Sequence, residues 1–278
     1  LIRAAAKNYN DTLIVANKNL YPSLLEQLSN NDGKTSLDTR KFFAEQAFLT
    51  TSSYDTAIYN YFASKKKYEL RYGENPHQQA TFSGNLEKLF TKHQGKELSY
   101  NNLLDIDAAL SLVLDFPKTE PVFAIVKHNN ACGMAIRPTL KQAYLDALAG
   151  DPVSAFGGIL CCNTEVDKAT AEEMDKLFFE IVIAPSYRNE AIQILQSKKN
   201  RIILATNDTS MPSRMSRTIL NGVLTQDRDS KTETLSDLKV ITTKQPTESE
   251  KRDMIVANIL VKHTKSNAII LVKDNQLL

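Results

Sequence analysis

Val122-Phe123-Ala124-Ile125-Val126 is an unbroken apolar run that ends in Lys127-His128, ahead of Asn129-Asn130-Ala131-Cys132-Gly133. A short apolar run without polar alternation reads as a strand buried on both faces, and the Asn- and Gly-bearing segment after it reads as a loop. A cation and a titratable imidazole at the carboxyl end of a buried strand stand where open α/β proteins hold reacting groups. Lys127 and His128 are therefore the first candidates for chemistry. In a regular strand they would point to opposite faces, so they share a pocket only if the chain turns there. An ordinary strand end with an exposed Lys and a hydrogen-bonded His fits the local pattern equally well.

On either side of this run the pattern alternates. From residue 70 onward, helices are expected at 102–116, 138–148, 167–179, 188–197 and 247–262, and further strands at 158–162, 181–184, 202–205, 220–225 and 268–272. Such alternation predicts an α/β fold with parallel strands and helices on both faces of the sheet. Residues 1–64 read as a separate α/β piece: a short helix, a strand at 12–16, and helices at 22–29 and 36–62. In the long helix Phe42, Ala44, Ala47, Phe48, Ala57, Ile58, Tyr61 and Phe62 fall at three- and four-residue spacings, so one stripe must pack on something. The basic stretch at 65–69 reads as an interdomain linker.

The 278 residues, 42% of them hydrophobic, suffice for two modest domains or one large one. No apolar run approaches the roughly 20 residues of a membrane span, and no signal pattern opens the chain, so a cytoplasmic home follows by default. A net charge of +2 from 34 basic and 32 acidic residues argues against nonspecific nucleic-acid binding. Cys132, Cys161 and Cys162 cannot all pair and lack zinc spacing, so they read as reduced thiols with no metal. The chain starts at Leu1 without an initiator Met, and a hairpin beginning at 268–272 stops two residues into its return arm. Both features lead us to expect a segment of a longer polypeptide.

Four further segments carry polar groups at turns. In Arg71-Tyr72-Gly73-Glu74-Asn75-Pro76-His77-Gln78, Pro76 holds Asn75 extended and Gly73 permits a turn, so the loop presents Arg71, a planar fork for phosphate or carboxylate, beside the ring and hydroxyl of Tyr72. Asp151-Pro152-Val153-Ser154-Ala155-Phe156-Gly157-Gly158 places two glycines before a strand but fits no dinucleotide or phosphate-loop pattern. Ile183-Ala184-Pro185-Ser186 and Lys262-His263-Thr264-Lys265-Ser266-Asn267 are polar turns beside apolar strands, and taken singly each is more often structural.

In this order, with Ile2-Arg3-Ala4-Ala5-Ala6-Lys7-Asn8, Ser99-Tyr100-Asn101-Asn102 and Lys265-Ser266-Asn267-Ala268-Ile269, the segments resemble a family of bifunctional purine-synthesis enzymes. That family joins a 5-aminoimidazole-4-carboxamide ribonucleotide formyltransferase to an inosine monophosphate cyclohydrolase. The resemblance spans nearly the whole chain. It implies that residues 1–64 are the end of a methylglyoxal-synthase-like cyclohydrolase domain. Residues 70–278 would be the first part of a cytidine-deaminase-like α/β formyltransferase domain without zinc. It also implies 10-formyltetrahydrofolate as cosubstrate, an aminoimidazole ribonucleotide as substrate and a homodimer with shared active sites, and it leaves room for a monovalent cation near Thr264 to Asn267.

Carried over position by position, the resemblance makes His128 the general base that deprotonates the substrate's 5-amino group and Lys127 the group that stabilises the oxyanion on the formyl carbon. Arg71 and Tyr72 would contact the phosphate and ring, and Asn102, Ser186, Asp208 and Asn267 would contact the nucleotide. Lys7 resembles the lysine that moves a proton during purine ring closure. The family commonly has Asn-Pro-Cys-Gly where this chain has Asn130-Ala131-Cys132-Gly133, which puts the geometry after His128 in doubt. A nucleotide-binding regulatory module, with Arg71 and Lys127 on a phosphate and no chemistry at His128, is the alternative, and a purely structural α/β domain is a third.

Overall fold

The computed structural model describes residues 1–62 and 66–278, and the chain divides into two compact units, Leu1–Lys66 and Lys67–Leu278. Residue 65, the first of the expected linker, lies outside the described residues; the rest of that linker, Lys66–Glu69, is a strand.

The first unit holds helices α1 (Ile2–Lys7), α2 (Tyr21–Asn30) and α3 (Leu37–Phe62). The strand expected at 12–16 is extended chain without a ladder, because no other strand of the unit is described beside it to share hydrogen bonds. α1 packs on α3 through the small side chains of Ala6, Ala44 and Ala47, ringed by Tyr9, Ile14, Ala16 and Phe48. Phe43, not Phe42, is buried, while Ile58, Tyr61 and Phe62 of the expected stripe are exposed. A six-residue α1, only about 9 Å long, reaches along the 26-residue α3 as far as Asp55, which accepts from Arg3 at 2.6 Å, and leaves the last turns uncovered by it.

The second unit runs β1 (Lys66–Glu69), β2 (Thr81–Gly84), α4 (Leu86–Leu89), β3 (Phe90–Gln94), α5 (Tyr100–Leu114), β4 (Val122–Lys127), β5 (Asn130–Ile136), α6 (Leu140–Gly150), α7 (Pro152–Ala155), β6 (Ile159–Cys162) and α8 (Lys168–Met174). It continues with β7 (Ile181–Ala184), α9 (Asn189–Leu195), β8 (Ile202–Thr206), β9 (Arg214–Ile219), β10 (Gly222–Asp227), α10 (Glu248–Lys262), β11 (Val272–Lys273) and β12 (Gln276–Leu277). Eight strands form one sheet in the order β11-β12-β5-β4-β6-β7-β8-β3.

The sheet is mixed, which corrects the expectation of parallel strands. Its parallel pairs are β6–β7 and β7–β8, while β4 is antiparallel to both β5 and β6. The reason is the connection. His128 and Asn129 alone join β4 to β5, with Lys127 paired to Asn130, and two residues can close a hairpin but not a crossover. The loop expected after His128 is therefore a strand, and the register slips so that Ile125 faces Gly133 and Val126 faces Ala131, leaving Cys132 as the extra residue of a bulge.

Helices do cover both faces. Val122, Ala124 and Val126 of β4 join Ile159, Cys161, Ile181 and Ile183 against α5 and α10, whereas Phe123 and Ile125 join Leu160, Cys162 and Val182 against α6, α8 and α9. β3 closes one edge, pairing antiparallel with β8 and exposing Thr91, Lys92 and His93. The hairpin β9–β10 is exposed along its whole length. Its first strand escaped the sequence reading because a polar, solvated strand carries no burial signal. The strand expected at 268–272 shrinks to the two residues of β11. Among the described residues no helix is long and apolar enough to cross a membrane, and the three cysteines are free thiols.

Candidate functional site

The amino-terminal turns of α5 organise the site. Ser99 caps the helix: its hydroxyl accepts from the Asn102 N–H at 3.1 Å and the Asn102 carboxamide oxygen accepts from the Ser99 N–H at 3.1 Å. Asn102 is only 6% exposed, and the same oxygen accepts a 3.0 Å bond from the Arg71 guanidinium, while its Nδ2 donates to Glu180 Oε2 at 3.2 Å. The cap of α5 is thus also the anchor of Arg71. The guanidinium in turn stacks 5.1 Å from the centroid of the Tyr72 ring.

The loop carrying Arg71 is tied down along its length. Tyr72 O accepts from Tyr100 N–H at 3.3 Å, Asn101 Nδ2 donates to Glu74 O at 3.1 Å, and Gly73 N–H donates to Gln78 O at 2.7 Å. A Cβ on Gly73 would stand 2.8 Å from that of Gln78, so this glycine serves close approach rather than an unusual φ.

One helical turn beyond Asn102, Asp105 accepts a 2.7 Å bond from the Asn129 backbone N–H. With its amide turned to donate, the Asn129 side chain reaches Asp105 Oδ1 and Leu104 O at 3.1 Å each. His128 and Asn129 both adopt positive φ, 52° and 62°, the geometry of a tight two-residue hairpin turn. Burial pushes the Asp105 carboxyl up, opposed by the Asn129 N–H and by the nearby His128 and Lys265 charges; Glu180 adds to the rise. Arg71, Asn102, Glu180, Asp105 and exposed His128 therefore gather about one end of α5, and the Lys265 charge also acts on Asp105; Asn267 is exposed.

Lys127 leaves the hairpin on the side of Phe123 and Ile125, where α6 packs. Its ammonium donates to Phe156 O at 2.8 Å, within the Asp151–Gly158 segment. Gly158 lets that segment in: a Cβ there would lie 3.1 Å from Val126 O. Lys127 and His128 are adjacent, but their charges face different neighbours, Asp151 for one and Asp105 for the other.

Ser186 and Asp208 lie elsewhere. Because β4 runs against β6 and β7, its carboxyl end shares a rim with Glu180 and the amino ends of the parallel strands. Ser186 follows the opposite end of β7 and donates to Glu165 at 3.3 Å; Asp208 follows β8 and pairs with Lys88 at 3.2 Å. Lys7 is the exposed last residue of α1 in the other unit. Sequence reasoning missed Asp105 and Glu180. An acidic residue three positions after Asn102 in a helix, and another just before the apolar run 181–184, were the available signals.

A family model described as AICARFT/IMPCHase bienzyme matches residues 5–278. The chain is 51% identical to a bifunctional purine biosynthesis protein PurH of Bacteroides thetaiotaomicron over its full length, covering 56% of that relative. PurH proteins of Agrobacterium fabrum and Bacillus cereus are 43% and 40% identical over 99% of the chain, which covers 56% and 58% of them. The chain thus spans a little over half the length of these relatives.

Proposed function

The chain belongs to the AICARFT/IMPCHase bienzyme family, and from that premise we propose that it is part of a purine-biosynthesis enzyme. In this reading residues 70–278 contribute to a formyltransferase domain of cytidine-deaminase-like fold, and residues 1–64 to a methylglyoxal-synthase-like cyclohydrolase domain. The reaction moves a formyl group from 10-formyltetrahydrofolate to the 5-amino group of 5-aminoimidazole-4-carboxamide ribonucleotide. Lys7 would serve the ring closure to inosine monophosphate.

What carries the reading is the convergence of Arg71 and His128 on one end of α5 through Asn102 and Asp105. An amine conjugated with a ring and a carboxamide is a weak nucleophile, so its attack on a formyl carbon needs a base to take the departing proton. Exposed His128 supplies that base. Arg71 spends one of its five donors on Asn102 and offers the others to a phosphate, with Tyr72 as ring contact. Lys127 donates to Phe156 O on the α6 side, and in this reading its ammonium would turn from there toward the oxyanion of the tetrahedral intermediate, which then expels N10 of the folate.

Asn267 is exposed, two residues after Lys265, whose charge acts on Asp105, and in this reading it would contact the nucleotide. Ser186 and Asp208, at the opposite end of the parallel strands, would serve a nucleotide that His128 of the same chain does not reach, as a homodimer with shared sites requires. Replacing His128 by Ala in the full-length protein tests the reading. Formyl transfer should fall by about 10² or more with ribonucleotide binding retained. Unchanged turnover would leave a nucleotide-binding module.

A further inference from the structure

We propose that Asp105 is a positioning residue for formyl transfer: it fixes the turn that carries His128 at a set place along α5 relative to Arg71. The inference rests on His128 being the base. The turn needs such a hold. A two-residue hairpin with both central residues at positive φ favours Asn-Gly, and each non-glycine residue in that region costs on the order of 1 kcal/mol or more. Here the first central residue is a histidine. The lone hydrogen bond within such a turn joins its outer residues, so the N–H of the second central residue, Asn129, points away from the hairpin without an internal partner. Asp105 accepts it at 2.7 Å and also receives the Asn129 side chain.

The fold uses the same device once more. Asp274 and Asn275, at φ 53° and 56°, turn between β11 and β12, and Asp253 of α10 accepts both of their N–H groups at 3.0 and 2.6 Å. A helix-borne aspartate gripping a two-residue turn is thus a structural solution in this sheet. In the β4–β5 hairpin it falls on the histidine. Asn102 and Asp105 lie on one face of α5, one turn apart, so a single rigid element sets both the Arg71 guanidinium and the turn. Glu180, hydrogen-bonded to Asn102, also acts on Asp105 through its charge.

Three variants of the full-length protein separate the roles. Asp105→Ala removes the acceptor, Asp105→Asn keeps an acceptor without charge, and Asp105→Glu keeps the charge but displaces the acceptor by one methylene. Formyl-transfer kcat and KM for the ribonucleotide are measured together with hydrogen exchange of the segment containing Asn129. With Asp105→Ala, kcat should drop about tenfold or more at a KM within about twofold of the parent, and the Asn129 amide should exchange about tenfold faster. Asp105→Asn should restore the protection and most of kcat. Asp105→Glu, which is safe for the helix, should lower kcat by about fivefold and so decides the matter should the Ala variant not fold.

A parental kcat in the Ala and Glu variants, or lost kcat with Asn129 protection intact, overturns the proposal. If His128→Ala itself leaves turnover unchanged, the underlying reading fails instead, and the exchange rates alone still report whether Asp105 holds the turn.

Discussion

Replacing Gly133 by Ala probes the contact on which the β4–β5 hairpin is seated. A Cβ added to Gly133 would stand 2.0 Å from the carbonyl oxygen of Ala147 and 2.9 Å from its carbonyl carbon, both backbone atoms of α6. Restoring ordinary contact near 3.5 Å means parting β5 and α6 by roughly 1.5 Å. α6 buries Leu140, Ala143, Tyr144 and Ala147 completely or nearly so, and its partner strand is pinned by β4 and β12, so neither side can yield without opening the core. Overpacking of a core costs about 1–3 kcal/mol, and an obstacle made of backbone places this case at the upper end, about 3 kcal/mol. For a unit of this size that is a fall of about 6–12 °C in Tm. Gly222→Ala is the internal control: nothing lies within 4 Å of its Cβ, and the change should stay within about 0.5 kcal/mol. Thermal unfolding followed by circular dichroism reads both. A Gly133→Ala protein melting within about 2 °C of its parent would refute the backbone contact and the hairpin placement argued from it.

Asn102→Ala should cost about 1–3 kcal/mol in urea unfolding, since it leaves the Ser99 hydroxyl on its backbone N–H but removes the reciprocal half of the capping box and strands the buried Ser99 N–H; a loss below about 0.5 kcal/mol would contradict the capping geometry. Asp208 titrates in the fold at about 2 against an ordinary 3.8, held down first by the Ser210 hydroxyl, then by the Ser210 N–H and Lys88. A lowered carboxyl means that its favourable contacts are present above pH 3.8 and disappear as pH falls toward 2. Carbon-13 titration should find that midpoint, and Ser210→Ala should move it upward; an ordinary midpoint in the parent would remove the proposed contacts.

Much of this was legible from residues alone. The runs 181–184 and 202–205 became β7 and β8 almost unchanged, and helix starts followed Ser99, Thr139, Asp167 and Thr247, each of which accepts a bond from the third helical N–H. Strand direction was not legible. Apolar runs mark burial on two faces but not polarity, and β5 begins with Asn130 and contains Gly133, residues whose composition argues for a loop although bulge and pairing override it. Arg71 and His128 stood out by chemistry, and Asn102 only through the family resemblance. Asp105 and Glu180 did not, because their roles arise only when α5 meets segments 24 and 78 residues away in the chain.

The outermost strand β3 has a consequence for where this protein can be cut. Thr91 hydrogen-bonds Asn207, 116 residues later, so the guard along β8 is supplied by chain made long before it. β8 itself is apolar, with Ile202, Ile203 and Leu204 at 1% exposure or less. A truncated version starting after Gln94 would present a bare ladder of backbone donors and acceptors flanked by oily side chains, a template for intermolecular stacking. The exposed threonine, lysine and histidine of β3 make it a poorer template for such stacking than β8 would be.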